Sequence, residues 1–337
     1  MKKQLLLLIA LLPALFSSAQ RTANIAVSGG VVNYIGDLAN EKIFPFSSAN
    51  TGVAVTLRNF LNNPKRTHNQ YPSFDAQIRL SWHRLQYDET TPIGAKKGME
   101  LRNYLRGIGF RNDLFGSEID FTYNIYLNKY APLSKPRFSI FFTAGAGLFY
   151  GKPKADLFRG SVDIANRYYT WTDGTIRDVA QNDKGIGNII TKDGVYETDL
   201  HQWMTEGQGY SKEVHSTQPY KNLNIGFPVG GGFRYSYSKL ITISAEFNWY
   251  VFMTDYLDDV SDRYATYDEL HNAFPDPNDF EIAKYISDPT GYGTNGFIGP
   301  VTSPRGNPNM KDSFTYFSLE FAYKFTWQKK GIYGQGN

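Results

Sequence analysis

Five histidines, His68, His83, His201, His215 and His271, are the side chains best placed to move a proton near neutral pH. None belongs to an HExxH pair, and no GxSxG elbow occurs in the chain. The absence of cysteine excludes thiol catalysis, zinc–thiolate sites and a disulfide framework. Only His83 falls in a predicted strand. It sits on the polar face, where it is expected to join a polar network, and it is the single candidate for Ser/His lipid-modifying chemistry. The densest acidic run is Asp255, Asp258, Asp259 and Asp262, within Thr254-Asp-Tyr-Leu-Asp-Asp-Val-Ser-Asp262. Hard oxygen ligands of this kind suit calcium, but the spacing matches no EF-hand loop. The favoured reading is a turn and cap held by carboxylate-to-backbone hydrogen bonds. The glycine runs Gly29-Gly30 and Gly230-Gly231-Gly232 lead into no helix, so they are not phosphate loops. The sequence therefore predicts no catalytic residue, no cofactor and no metal, and the chain is expected not to be an enzyme.

The elements around these residues follow from composition and periodicity. The chain has 337 residues, 35 basic against 32 acidic, and 24 Phe, 24 Tyr and 5 Trp. Such a balance, with a pI near 8.7, argues against nucleic-acid binding. Lys2-Lys3, the apolar run 5–16 and Ser17-Ser18-Ala19 read as a secretory signal peptide over 1–19. Beyond it no apolar run approaches the ~20 residues of a transmembrane helix, so a membrane-spanning form must be a barrel.

Period-two alternation is clearest over 74–83, 118–127, 241–253 and 316–327. In the first, Phe74, Ala76, Ile78, Leu80 and Trp82 oppose Asp75, Gln77, Arg79, Ser81 and His83. Weaker, glycine-rich alternation covers 24–34, 52–60, 137–150 and 223–237. These stretches predict eight strands. Their connections alternate between short (61–73, 129–136, Ser238-Lys239) and long, the longest being 151–222 and 254–312. That segregation is the layout of an outer-membrane barrel. The fold expected is all-β, an eight-stranded antiparallel outer-membrane barrel over 20–328 with a short tail, 329–337.

The polar faces carry Arg58, Arg79, Arg137, Arg234 and Lys324 together with Asp75, Glu118, Asp120, Glu246 and Glu320. Buried charges must be paired, and eight strands leave room only for side chains. An interior ion network is expected, not a pore. Tyr34, Tyr126, Tyr235, Tyr237, Trp249 and Trp327 stand near strand ends, where interfacial girdles lie. In the loops, Tyr168-Tyr169-Thr170-Trp171 and Trp203 are either a recognition surface or a small core. A short helix is expected over 268–274, ended by Pro275-Asp276-Pro277.

Four segments carry a resemblance: Tyr34-Ile-Gly-Asp-Leu38, Phe110-Arg-Asn-Asp113, Ala144-Gly-Ala-Gly-Leu-Phe149 running into Pro153-Lys-Ala155, and Thr254-Asp-Tyr-Leu-Asp-Asp-Val-Ser261. Together they resemble the Bacteroidetes outer-membrane barrels related to PorG of the type IX secretion system. The last segment is the most specific, and the long loops exceed those of typical members. The resemblance implies a scaffold in the cell outer membrane whose partners are membrane lipid and secretion-ring proteins. It also marks Tyr34, Gly36, Asp37, Asp255, Tyr256, Asp258 and Asp259 as an interaction or structural motif. Two alternatives stand beside it: a surface receptor or adhesin using the long loops, and a lipid-modifying barrel enzyme.

Overall fold

The computed structural model describes residues 22–38, 49–61, 73–89, 106–127, 137–209, 219–291 and 304–326. The predicted leader, Trp327, His68, His215 and the C-terminal tail lie outside these.

The first five strands are β1 (Thr22–Ile35), β2 (Ala49–Phe60), β3 (Phe74–Asp88), β4 (Gly109–Tyr126) and β5 (Arg137–Tyr150). Four short strands follow, β6 (Pro153–Ala155), β7 (Tyr169–Thr170), β8 (Ile176–Arg177) and β9 (Thr198–Asp199). The main sheet resumes with β10 (Leu223–Ser236), β11 (Ile241–Phe252) and β12 (Ser313–Thr326). The long strands pair antiparallel in the order β3-β2-β1-β12-β11-β10-β5-β4, and β3 pairs with β4. The sheet therefore closes on itself with eight strands, as expected. Closure leaves no unpaired edge, which is the condition for strands to cross lipid. One gap in the β5–β10 ladder falls at Phe227-Pro228, where proline has no N–H to donate.

Strand parity decides which side chains meet lipid. Val27, Leu80, Phe121, Phe233 and Leu319 point outward and are exposed, while the intervening polar residues are buried. Tyr235, Tyr237 and Trp249 are outward and exposed, as a girdle requires. Tyr34 and Tyr126 do not join it. They share the inward parity of their strands, and Tyr34 is fully buried.

Two strands run further than alternation predicts. β3 continues to Asp88 and β4 begins at Gly109, so Phe110-Arg-Asn-Asp113 lies within β4 and not before it. The outward positions of these extensions are Arg84, Gln86, Asp88, Arg111 and Asp113. Backbone pairing outlasts the apolar face there, so the hydrophobic pattern ends before the strand does.

The described parts of the four long connections gather at one barrel end and pack into a cap. Its apolar cluster joins Leu38, Ile108, Phe158, Leu257, Val260 and Ile286 to the barrel mouth at Phe110, Tyr250 and Phe314. Helix α1 (Tyr267–Ala273) starts with a capping box: Glu269 N–H donates to Thr266 Oγ1 (3.2 Å) and Thr266 N–H donates to Glu269 Oε2 (2.8 Å). Pro275-Asp276-Pro277 ends that helix and also begins a second, α2 (Pro277–Ser287). Asp276 caps α2 by accepting from Asn278 N–H (2.9 Å) and Asp279 N–H (3.2 Å). Ile282, Tyr285 and Ile286 of α2 are buried against the cap. The loop aromatics divide: Trp203 packs against this core, Tyr168 reaches it through a hydrogen bond to Tyr285, Trp171 is buried within its own loop, and Tyr169 is half-buried. Tyr168 and Trp171 are buried, and Trp203 packs on Phe274 at 5.2 Å.

The glycines of β10 serve close strand approach. A Cβ at Gly232 would stand 2.1 Å from the Ala245 carbonyl oxygen across the β10–β11 ladder. Gly232→Ala is therefore expected to destabilise the barrel by roughly 1–3 kcal/mol, as overpacking against backbone does. Unfolding in denaturant, followed by the heat-modifiable gel shift of the folded barrel, reads the loss.

Candidate functional site

The candidate residues occupy two layers, the barrel interior and the rim beneath the cap. In the interior, Arg58 Nη2 donates to both oxygens of Glu320 at 2.9 Å, and its Nε donates to Gln77 Oε1 at 3.1 Å. Gln77 in turn donates to Asp120 at 3.1 Å. Arg79 Nη2 donates to Glu246 at 2.7 Å and lies 4.0 Å from Asp120. Asp75 sits between Arg58 (3.6 Å) and Arg234 (3.5 Å). Glu118 accepts from Ser81 at 2.8 Å. Arg137 and Lys324 lie on the inward face nearer the short-turn end.

Eight of the ten expected charges thus meet in one hydrogen-bonded layer. Arg58, Arg79, Glu118 and Glu246 are each no more than 2% exposed, so this layer is packed solid. His83 departs from its expected role. Its ring is fully buried among Tyr250, Phe314 and Tyr316, with centroids 4.8–5.3 Å away, and neither ring nitrogen finds a hydrogen-bond partner. It belongs to an aromatic layer above the ion network, with no path to lipid.

The rim layer ties all four long connections together. Tyr34 Oη lies 2.7 Å from Asp258 Oδ2 and 2.8 Å from Asp312 Oδ1. A phenol has one proton to give, so this trio is satisfied when one carboxyl holds a proton. Burial, with repulsion from neighbouring carboxylates (Asp312 and Asp37 on Asp258, Asp255 and Asp37 on Asp312), pushes both carboxyl groups well above the usual range. Gly36 leaves room for the trio, since a Cβ there would sit 1.9 Å from Tyr34 Oη. Asp37 accepts from Asn307 N–H at 2.9 Å. Arg106 forms a bidentate pair with Glu89 and donates to the carbonyl oxygens of Asp37 (2.9 Å) and Arg305 (2.7 Å).

The acidic run is distributed over separate bonds. Asp255 accepts from Ser261 Oγ (2.8 Å), and Asp258 Oδ1 accepts from Val260 N–H (3.0 Å). Asp259 accepts from Thr205 (2.6 Å), Tyr220 (2.7 Å) and Arg305 (3.4 Å). Asp259 also holds a left-handed φ of 69°. Tyr256 stacks on Tyr220 at 4.7 Å. The expected turn is present at Asp258, whose carboxylate takes a backbone N–H, but Asp255 and Asp259 bond side chains instead, and the helices are capped by Thr266 and Asp276, outside this run. Glu89, Arg106, Glu206, Tyr220, Arg305 and Asp312 complete the rim and had no local signal. Some pair within one connection, as Glu89 does with Arg106 and Asp259 with Arg305, and others pair across connections, as Glu206 does with Ser261 and Arg305, but all at separations of 17 residues or more, so no short spacing in the sequence pairs them.

Glu206 accepts from Ser261 N–H (2.9 Å), Asp262 N–H (3.1 Å) and Arg305 (3.3 Å). Burial pushes its carboxyl up to about 7 against the pull of Arg305, and burial raises Asp255 to about 6. Unfolded carboxyls titrate near 4. Between about pH 4.5 and 7 the folded cap thus binds more protons than the unfolded one, and its stability falls as pH rises. Hydrogen exchange at the Ser261 and Asp262 amides, corrected for intrinsic rate, should be slower at pH 5 than at pH 8. Equal protection at both would contradict this assignment.

No protein-family model matches the chain, and no curated protein is significantly similar to it. Solved structures similar to it include Neisserial surface protein A, at 8% identity and TM-score 0.34 over 90% of this chain and 97% of that one. Ail, the attachment invasion locus protein of Yersinia pestis, matches at 9% and 0.31 over 91% and 99%. The outer membrane protein OprG from Pseudomonas aeruginosa matches at 9% and 0.31 over 91% and 98%. The fold assignment itself rests on the strand register. A closed eight-stranded barrel with an apolar outer face and a packed polar interior is an outer-membrane barrel.

Proposed function

We propose that this barrel is a PorG-like scaffold that holds protein partners of type IX secretion at the outer membrane. The observation that supports the reading is the rim lock. Two of the four segments that carry the resemblance, Tyr34-Ile-Gly-Asp-Leu38 and Thr254-Asp-Tyr-Leu-Asp-Asp-Val-Ser261, meet at Tyr34 and Asp258. They fix the cap to the barrel mouth. A sealed interior and a rigid cap suit an anchor better than a channel. The partners would engage the short turns and the tail from Lys329-Lys330 to Asn337.

Crosslinking in intact envelopes tests this. Periplasmic ring proteins should be recovered with the parent chain and with a variant lacking residues 176–190, and lost when 329–337 is removed. Recovery that is indifferent to the tail and to the short turns would sink the scaffold role.

A surface receptor is the second reading. Ile186 and Ile189 are 65% and 66% exposed on the 151–222 connection, beside exposed Val179 and Val195. Deleting 176–190 would abolish binding of a surface ligand on that reading while the barrel still assembles. The enzyme reading has only His83 to offer, and His83→Ala should leave any lipid-modifying activity unchanged.

A further inference from the structure

Among the described residues, the outward positions of the eight barrel strands carry only four charges, Arg84, Asp88, Arg111 and Asp113. All four lie at one corner, where β3 and β4 rise past the apolar face. Register puts Trp82, Phe115 and Tyr150 side by side on adjacent strands, as an outward aromatic row. The next outward row holds Arg84 opposite Asp113, and the one after holds Gln86, Arg111 and Lys154. At about 3.3 Å per residue these rows stand roughly 7 and 14 Å beyond the aromatics along the strand. That is the depth at which lipid headgroups begin.

A groove of about 330 Å³ opens at this corner, lined by Arg111, Asp113, Tyr150, Lys152, Lys154 and Tyr196. Its cations are held in place. Arg84 Nε and Arg111 Nε both donate to Asp113, at 2.8 and 2.9 Å. Arg84 lies over Trp82 at 5.2 Å and Arg111 over Tyr196 at 5.3 Å. Lys152 donates to Asp199 at 3.0 Å. Lys154 is exposed and pairs with no carboxylate among the described residues. One carboxylate in the lining faces three cations.

Partly exposed ion pairs contribute little to stability, so folding does not account for the cluster. Planar guanidinium forks beside a lysine are the donor set that matches phosphate oxygens. We propose that this corner binds the phosphate of an outer-leaflet lipid headgroup, with the acyl chains lying on Leu80, Phe115 and Leu148.

The test uses the full chain in a neutral maltoside detergent and native mass spectrometry. The probes are bisphosphorylated lipid A, the same lipid without phosphates, and inorganic phosphate. The phosphorylated lipid should be retained in preference to the other two. The double variant Arg111→Gln, Lys154→Gln should weaken its retention roughly tenfold or more. Lys239→Gln, on the short-turn side, should leave retention unchanged. Equal retention of the dephosphorylated lipid, or full retention by the double variant, overturns the proposal. So does inorganic phosphate binding as tightly as the lipid, because the groove would then take a free anion. The heat-modifiable gel shift checks folding. If the double variant fails it, the exposed Lys154→Gln change alone must still lower retention.

Discussion

Replacing Glu320 with alanine is expected to destabilise the barrel by about 3–5 kcal/mol, because it leaves a buried guanidinium without its main counter-charge. Arg58 is 1% exposed and gives Glu320 a two-oxygen contact at 2.9 Å. Its remaining carboxylate, Asp75, is 3.6 Å away and shared with Arg234. Chemical unfolding from lipid vesicles measures the loss. A double replacement, Arg58→Met with Glu320→Met, should recover much of it, since removing both charges also removes their desolvation cost. The decisive contrary result is a single variant within about 1 kcal/mol of the parent, the range of ordinary surface changes. Arg58 would then be hydrated, and the interior would be a water-filled lumen.

Phe121→Arg should cost roughly 2–4 kcal/mol in vesicles, the penalty for a cation at the bilayer midplane. Phe121 is 55% exposed and near the middle of the apolar stretch 115–125 of β4, between Ala76 and Ala144 of the neighbouring strands. The same replacement at Phe115 should cost only about 0–1 kcal/mol, because that position lies at the interface. Phe115 also sits one outward step from Asp113. The difference between the two sites sets the depth of the apolar band. On β4 it runs from 115 to 125 and, with strands tilted about 40°, spans roughly 25 Å. Equal costs at both positions would remove the depth gradient and with it the assignment of this face to lipid.

The barrel was legible for a local reason. Side chains alternate with period two, so every strand facing lipid on one side and a packed interior on the other writes both environments into consecutive residues. Phe74 to His83 shows this directly, and the ten interior charges could be assigned from parity alone. Legibility failed where one of the two environments ended. Above Trp82 and below Phe115 the outer face meets water, the alternation stops, and β3 and β4 continue unseen. It failed again in the loops. The second helix hid behind Pro275-Asp276-Pro277, because a proline that stops one helix is equally suited to start the next.

The sequence by itself therefore determined the barrel, its strand count, its direction of facing and the sign balance of its interior. Each of these is encoded by residue type at fixed short spacing. Which charges pair, and what the acidic rim segment does, were decided only by closure. Arg58 meets Glu320 because β2 and β12 both flank β1. Asp258 and Asp312, both in the β11–β12 connection, meet Tyr34 because β1 pairs with β12 and the connection folds back over that barrel mouth. His83 was assigned to the right face but the wrong layer, since the height of a residue inside the barrel depends on the stagger of all eight strands. No local pattern carries that stagger, so the chemistry of the interior and rim is a property of the closed sheet.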